Sequence, residues 1–164
     1  MVGAATAIKL AQQGSDVTII EKHLIDADSI LSSDKVDIRI SAINRFSEHL
    51  LDELGAMPLL RKNRIAPYQQ LEAYQQQDES LLFDCKDIGE THLGHLIENS
   101  LIQASLWQQF ADYNIEVIEQ KTPVTDINQT DDSITLHYGD THYTADLVIA
   151  ADGGQSQLRT KAGL

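Results

Sequence analysis

Apolar positions along the chain recur with two different periods, and the alternation between them predicts the elements. Ala4, Ala7, Ile8 and Ala11 return at helical spacing, which predicts a helix over about residues 3–13, closed by Gly14. Val17-Thr18-Ile19-Ile20 then reads as a buried strand ending in Glu21. At the other end, Leu147-Val148-Ile149-Ala150 is an uninterrupted apolar run between polar residues. Such a run predicts a strand covered on both faces, as in a parallel sheet flanked by helices. It stops at Asp152-Gly153-Gly154, where bare backbone permits a sharp turn.

Between these ends the pattern changes character. Residues 23–35 read as a polar loop carrying Asp26, Asp28 and Asp34, and residues 37–41 alternate as a short extended segment. Ser41 is placed to cap a helix through Phe46, Leu50, Leu51 and Leu54 that closes at Gly55. Residues 58–67 form a basic, irregular connection. Residues 68–74 and 80–83 alternate as an antiparallel pair around a polar turn near Gln77-Asp78-Glu79. His92 opens a second long helix whose apolar stripe continues through Leu101, Ile102, Leu106, Trp107 and Phe110. Short runs at 115–118, 124–128, 133–138 and 141–145 are separated by Asp131-Asp132 and Gly139-Asp140 turns. They predict an antiparallel meander leading into the last strand. The expected class is α/β, with a parallel sheet plus this meander, in a single domain over residues 1–164.

A helix, a glycine, a strand and a terminal acid make the second half of a βαβ dinucleotide-binding unit. In that unit the helix start holds a pyrophosphate and an acid about 20 residues on holds a ribose. Gly3 has the place of the last fingerprint glycine and Glu21 that of the acid. Asp152 and Gly153, at the end of a strand, have the character to meet a sugar hydroxyl and a phosphate. Arg39 is read as either a surface ion-pair partner or a phosphate contact. Glu98 and Gln103 are polar groups on a helix expected to be largely buried. His92, His95 and Glu98 share a helical face on that reading, but no further ligand is evident and no metal residue is assigned.

Composition narrows the partners. The chain has 164 residues, 42% hydrophobic and 23% charged, as expected of a globular protein. A formal net charge of −13 disfavours nucleic acid, which requires a basic patch, and simple adsorption on anionic lipid. A single cysteine, Cys85, excludes an internal disulfide and suits the cytoplasm. The first residues lack a basic region before their apolar part, so no signal peptide is expected. No apolar run approaches the roughly 18 residues of a membrane span.

Four stretches in order resemble motifs of the FAD-dependent aromatic hydroxylases of ubiquinone biosynthesis, a branch of the class A flavin monooxygenases. Met1-Val2-Gly3-Ala4-Ala5 is similar to the end of the glycine-rich FAD fingerprint. Asp37-Ile38-Arg39-Ile40-Ser41-Ala42-Ile43, with Leu54-Gly55, resembles the second family segment. Leu93-Gly94-His95-Leu96-Ile97-Glu98-Asn99 is similar to the family's Leu-Gly…Glu-Asn stretch. Ala151-Asp152-Gly153-Gly154-Gln155-Ser156-Gln157-Leu158-Arg159 resembles its Asp-Gly motif. Within the family, Pro67-Tyr68-Gln69-Gln70-Leu71-Glu72 and Ser156-Gln157-Leu158-Arg159 look most like the branch that hydroxylates a demethoxyquinol.

The resemblance implies a Rossmann-like FAD-binding domain, with residues 67–90 contributing to a substrate-facing sheet. It puts Gly3 at the pyrophosphate, Glu21 at the adenosine ribose and Arg39 beside the cofactor. Asp152 and Gly153 fall in the cofactor motif, and Gln103 is a further flavin contact. It implies FAD as cofactor and NAD(P)H as reductant, and no catalytic side chain of the Ser-His-Asp or Cys-His kind. The implied substrate is a polyprenylated quinol or phenol, which brings a cytoplasmic enzyme to a membrane surface or into a biosynthetic complex. The family's first strand, first two glycines and later Gly-Asp segment have no counterpart here, so the 164 residues alone are expected to be inactive. Two other readings stay open: a non-catalytic fragment or binding module on the same fold, and a piece of an NAD-binding dehydrogenase, which leaves Asp152-Gly153 unexplained.

Overall fold

A computed structural model describes residues 1–76 and 79–163. In chain order the elements are α1 (Val2–Gln12), β1 (Thr18–Glu21), α2 (Ala27–Ser32), β2 (Ile40–Asn44), α3 (Arg45–Glu53) and α4 (Met57–Arg61). They continue with β3 (Ile65–Tyr68), β4 (Gln70–Gln76), β5 (Glu79–Asp84), β6 (Gly94–Glu98) and α5 (Asn99–Trp107). The chain closes with β7 (Glu116–Glu119), β8 (Asp126–Gln129), β9 (Ile134–Tyr138), β10 (Thr141–Ala145) and α6 (Gln157–Lys161). This is a mixed α/β arrangement with one parallel strand pair and three antiparallel sheets among the described residues. The residues fall into two compact units, one of residues 26–111 with Met1 and one of residues 2–25 with 112–164.

In the first unit β6 is the central strand, antiparallel to β2 on one side and to β3 on the other. Ile97 on β6 packs with Leu51 of α3, Leu54, Met57 and Leu60 around α4, and Leu101, Ala104 and Leu106 of α5 as a buried core. Helix α3 begins where β2 ends, because the Asn44 side chain accepts the Ser47 N–H at 2.9 Å and satisfies the first turn. Helix α4 carries Pro58 in its first turn, where a missing N–H costs nothing. Strands β4 and β5 form a separate hairpin with Leu71, Tyr74, Leu81, Leu82 and Phe83 exposed. A 3₁₀ turn over Cys85–Ile88 follows it, capped by Asp84 and closed by left-handed Gly89, and it buries Cys85.

In the second unit α1 packs on β1, and β1 pairs in parallel with β7 from Thr18↔Glu116 to Glu21↔Glu119. Gly14, at φ +90°, makes the turn between helix and strand. Ala4, Ala7, Ile8, Ile115, Val124 and Leu136 are its buried apolar residues. β8, β9 and β10 form the expected meander, with Gly139 at φ +66° in the tight turn between β9 and β10.

Several expectations are corrected. Residues 23–35 contain helix α2, because Asp26 accepts the Ser29 N–H at 3.0 Å and starts it. Ser41 lies within β2 and donates to Asn99 Oδ1 at 2.6 Å, so the cap of α3 is Asn44. Residues 58–67 hold the rest of α4 and the start of β3. The helix expected from His92 begins only at Asn99; the preceding segment is β6, held in strand form by partners on both edges. The terminal apolar run is not a paired strand: Leu147 and Ile149 are 66% and 47% exposed, and no described strand bonds to residues 147–150. Without neighbours on either edge its apolar character alone does not make it a sheet member. The turn at Gln77-Asp78 lies outside the described residues.

Candidate cofactor site

The second unit holds Gly3, Glu21, Asp152 and Gly153. Gly3 is in the first turn of α1, a helix of 11 residues with no acid in that turn. Its first N–H groups have no partners within the helix and carry the positive end of its dipole. A Cβ at Gly3 would lie 3.0 Å from the Ala151 Cβ, so the start of α1 sits directly against the Asp152-Gly153 segment. Glu21 ends β1, and one of its oxygens accepts the N–H of Lys22 at 2.8 Å.

Asp152 has a structural task that its motif did not reveal. One carboxylate oxygen accepts the N–H of Gln157 at 2.8 Å and that of Leu158 at 3.3 Å, fastening the first turn of α6. Ser156 caps the same helix through the Arg159 N–H at 2.9 Å. Burial alone would raise the Asp152 pKa; the Ser156 hydroxyl and the N–H groups of Leu158 and Gln157 outweigh it and hold the carboxyl below its ordinary value. Gly153 stands at φ +87°, and neither its Cβ position nor that of Gly154 has any atom within 4 Å. Bare backbone there faces open space.

The first unit holds Arg39, which lies against the start of α5, and Gln103 within that helix. Asn99, the first residue of that helix, donates its N–H to the Arg39 carbonyl at 2.9 Å, and Gln103 is one turn further on. The Arg39 N–H is held by Asp37 Oδ1 at 3.0 Å, which lowers the Asp37 pKa. The exposed Arg39 guanidinium makes no hydrogen bond to another described residue.

Glu98 and the previously unassigned Arg64 organise this region. Glu98 is 4% exposed, and it accepts from Arg64 Nε at 2.8 Å and from the Asp37 N–H at 2.7 Å. Arg64 also donates to the carbonyls of Ser33 and Lys35, at 2.7 and 3.1 Å. One ion pair thereby ties β6 to the segment that leads into Arg39. The Arg64 hydrogen bond, followed by that of Asp37, keeps the Glu98 pKa below its ordinary value despite burial. Sequence pattern could not find Arg64, because its partners lie 29 to 34 residues away.

These features have the character of a dinucleotide site: a helix with no acid in its own first turn, a strand-end acid with one oxygen unengaged among the described residues, and open glycine backbone at 153–154.

No family model matches the chain. Curated proteins do. The chain is 35% identical over its whole length to the 3-demethoxyubiquinol 3-hydroxylase of Escherichia coli K12, of which it covers 42%. It is 28% identical to the ubiquinone biosynthesis monooxygenase COQ6 of Danio rerio, again over the whole chain and 37% of that protein. The chain therefore spans about two fifths of the length of these relatives. Among solved structures, p-nitrophenol 4-monooxygenase PnpA from Pseudomonas putida superposes on 99% of the chain with a TM-score of 0.72 at 23% identity, over 41% of its own length. CabE, an aromatic hydroxylase of angucycline biosynthesis, gives 0.71 at 17% identity, covering 98% of this chain and 31% of its own. These two show the fold alone. Over its entire length the chain resembles the FAD-dependent aromatic hydroxylases of ubiquinone biosynthesis.

Proposed function

We propose that this chain is the FAD-contacting portion of an NAD(P)H-using monooxygenase that hydroxylates the ring of a polyprenylated quinol or phenol. The observation that carries the reading is its 35% identity to the demethoxyubiquinol hydroxylase in an alignment that covers the whole chain. FAD, when bound and reduced, supplies the electrons and the oxygen activation. The chain's residues bind and orient it. The start of α1 at Gly3 meets the pyrophosphate, and Glu21 accepts hydrogen bonds from the adenosine ribose. Arg39 supplies positive charge beside the cofactor, and Gln103 offers an amide to the flavin. Gly153 presents backbone N–H at the Asp152 motif, while Asp152 holds that backbone in shape by fastening α6. The exposed apolar hairpin of β4 and β5 contributes to the substrate-facing sheet, and the polyprenyl tail of the substrate brings the enzyme to a membrane surface. No helix among the described residues is long and apolar enough to cross one.

The test is flavin titration of the protein and of Glu21→Ala, followed by fluorescence quenching. Hydrogen bonds to a charged acceptor are worth roughly 1.5–3 kcal/mol, so the variant should bind FAD about 10- to 150-fold more weakly. Equal affinity would remove Glu21 from the site. Hydroxylated product from a demethoxyquinol analogue, formed with NADPH by an enzyme that contains this chain, tests the activity itself.

A further inference from the structure

A second group of side chains in the first unit stands apart from these residues. β2 pairs with β6 so that Ile43 faces His95 and Asn44 faces Gly94. The chain then turns directly into α3, which places Glu48 one turn along the helix and over the His95 end of β6. His92 lies in the connection just before β6. Glu48 Oε2 is 3.1 Å from His92 Nε2, and Glu48 Oε1 contacts His95 Nδ1. The two imidazoles meet edge to face with centroids 4.7 Å apart. One ligand atom from each of the three residues lies within 4.8 Å of the other two. All three side chains are mostly buried, at 12%, 20% and 16% exposed for Glu48, His92 and His95.

We propose that Glu48, His92 and His95 form a binding site for a zinc-like divalent cation, with one coordination position left for water or an exogenous ligand. Two imidazole nitrogens and a carboxylate are a donor set suited to Zn²⁺, and tetrahedral ligands at about 2.0–2.1 Å stand about 3.3 Å apart. The His92–Glu48 separation is close to that edge. Two imidazole nitrogens converge on one carboxylate, and a divalent ion bound between them satisfies all three groups together in place of hydrogen bonds from the ring N–H groups. The ring of His92 is also oriented from behind: its Nδ1 is 2.9 Å from the Thr91 hydroxyl, which leaves Nε2 facing Glu48. Metal-bound imidazoles carry such a partner on the far nitrogen as a rule. Arg45 Nη1 reaches to 3.4 Å from His92 Nε2, but its other nitrogen is paired with Glu90 at 3.0 Å, which offers the guanidinium a place away from the ion. The proposal does not depend on the flavin reading, since none of the residues assigned to FAD takes part.

The experiment is calorimetric titration of the protein with Zn²⁺, with Co²⁺ as a visible probe of geometry. One equivalent should bind, Co²⁺ should show the intense absorption bands of a tetrahedral site, and Zn²⁺ should raise Tm. Outer-sphere changes at metal sites weaken binding about 10- to 100-fold, so loss of a direct ligand in Glu48→Gln or His92→Gln should cost at least about 100-fold. His92 precedes β6, so its exchange spares the sheet. On the unaltered chain, Zn²⁺ should protect His92 and His95 from diethyl pyrocarbonate, read by mass spectrometry, whatever the variants' folding. Absence of stoichiometric binding overturns the proposal. So does binding unchanged in both variants, or protection confined to other histidines such as the His137–His142 pair, whose rings lie 5.9 Å apart.

Discussion

Gly94→Ala is expected to destabilise the protein by about 3 kcal/mol or more, the upper part of the range for forcing atoms into a packed interior. A Cβ at this position would lie 1.9 Å from the Ile43 carbonyl oxygen and 2.9 Å from its carbonyl carbon. Neither can step aside as a flexible side chain does, because Ile43 is bonded into β2. The strand must instead move by more than 1 Å relative to β6, and β6 is the middle member of its sheet. For a chain of this size the loss corresponds to a fall in Tm of about 6–12 °C. Gly154→Ala is the control. A methyl group there meets nothing within 4 Å, so its stability should stay within about 0.5 kcal/mol of the parent. Thermal unfolding of the two variants side by side checks the argument, and a Gly94→Ala protein as stable as the control would contradict the close approach of β2 and β6.

The second large effect concerns the Arg64–Glu98 pair. Arg64→Met should destabilise more than Glu98→Gln, because the first leaves a carboxylate 4% exposed without its cation, whereas Arg64 is 34% exposed and keeps water and two backbone carbonyls. For Glu98→Gln, losing charge-assisted hydrogen bonds costs about 1.5–3 kcal/mol. The pH dependence has a definite sign. The folded pKa of Glu98 is depressed below its ordinary 4.5, so its contribution is present above that value and lost as pH falls below it through the folded pKa. Stability measured from pH 6 downward should therefore fall less steeply in Glu98→Gln than in the parent. Equal slopes would show that the pair does not couple folding to protonation.

How far the sequence reveals the structure depends on whether the deciding contacts are local. The β8–β10 meander is legible because alternation and the Gly139 turn are both written within a few residues. Helix α1, Gly14 and the β1 strand are legible for the same reason. β6 is not, because Leu93, Ile97 and Leu101 also fit a helical stripe, and only its two long-range partners make residues 94–98 extended. The cap of α3 lies three residues beyond Ser41, since Ser41 and Asn44 are both good caps and pairing of β2 selects the second. Motif resemblance nominates the candidate cofactor residues, but it carries no record of the hydrogen bonds by which Asp152 fastens α6. Glu48 is missed entirely: it meets His92 and His95 across separations of 44 and 47 residues. The apolar run at 147–150 shows the opposite failure, in which strand-like composition is present without a neighbour to pair with.

The packing of Cys85 makes the protein carry its own clock. It is the only thiol in the chain, it is 3% exposed, and its backbone N–H is bonded to the Gln69 carbonyl at 3.0 Å where the β4–β5 hairpin joins the rest of its unit. A thiol reagent reaches a sulfur this buried only while the packing around it opens. The labelling rate of the native protein, compared with that in denaturant, therefore measures how often the packing around Cys85, at the base of the β4–β5 hairpin, opens, without any introduced probe.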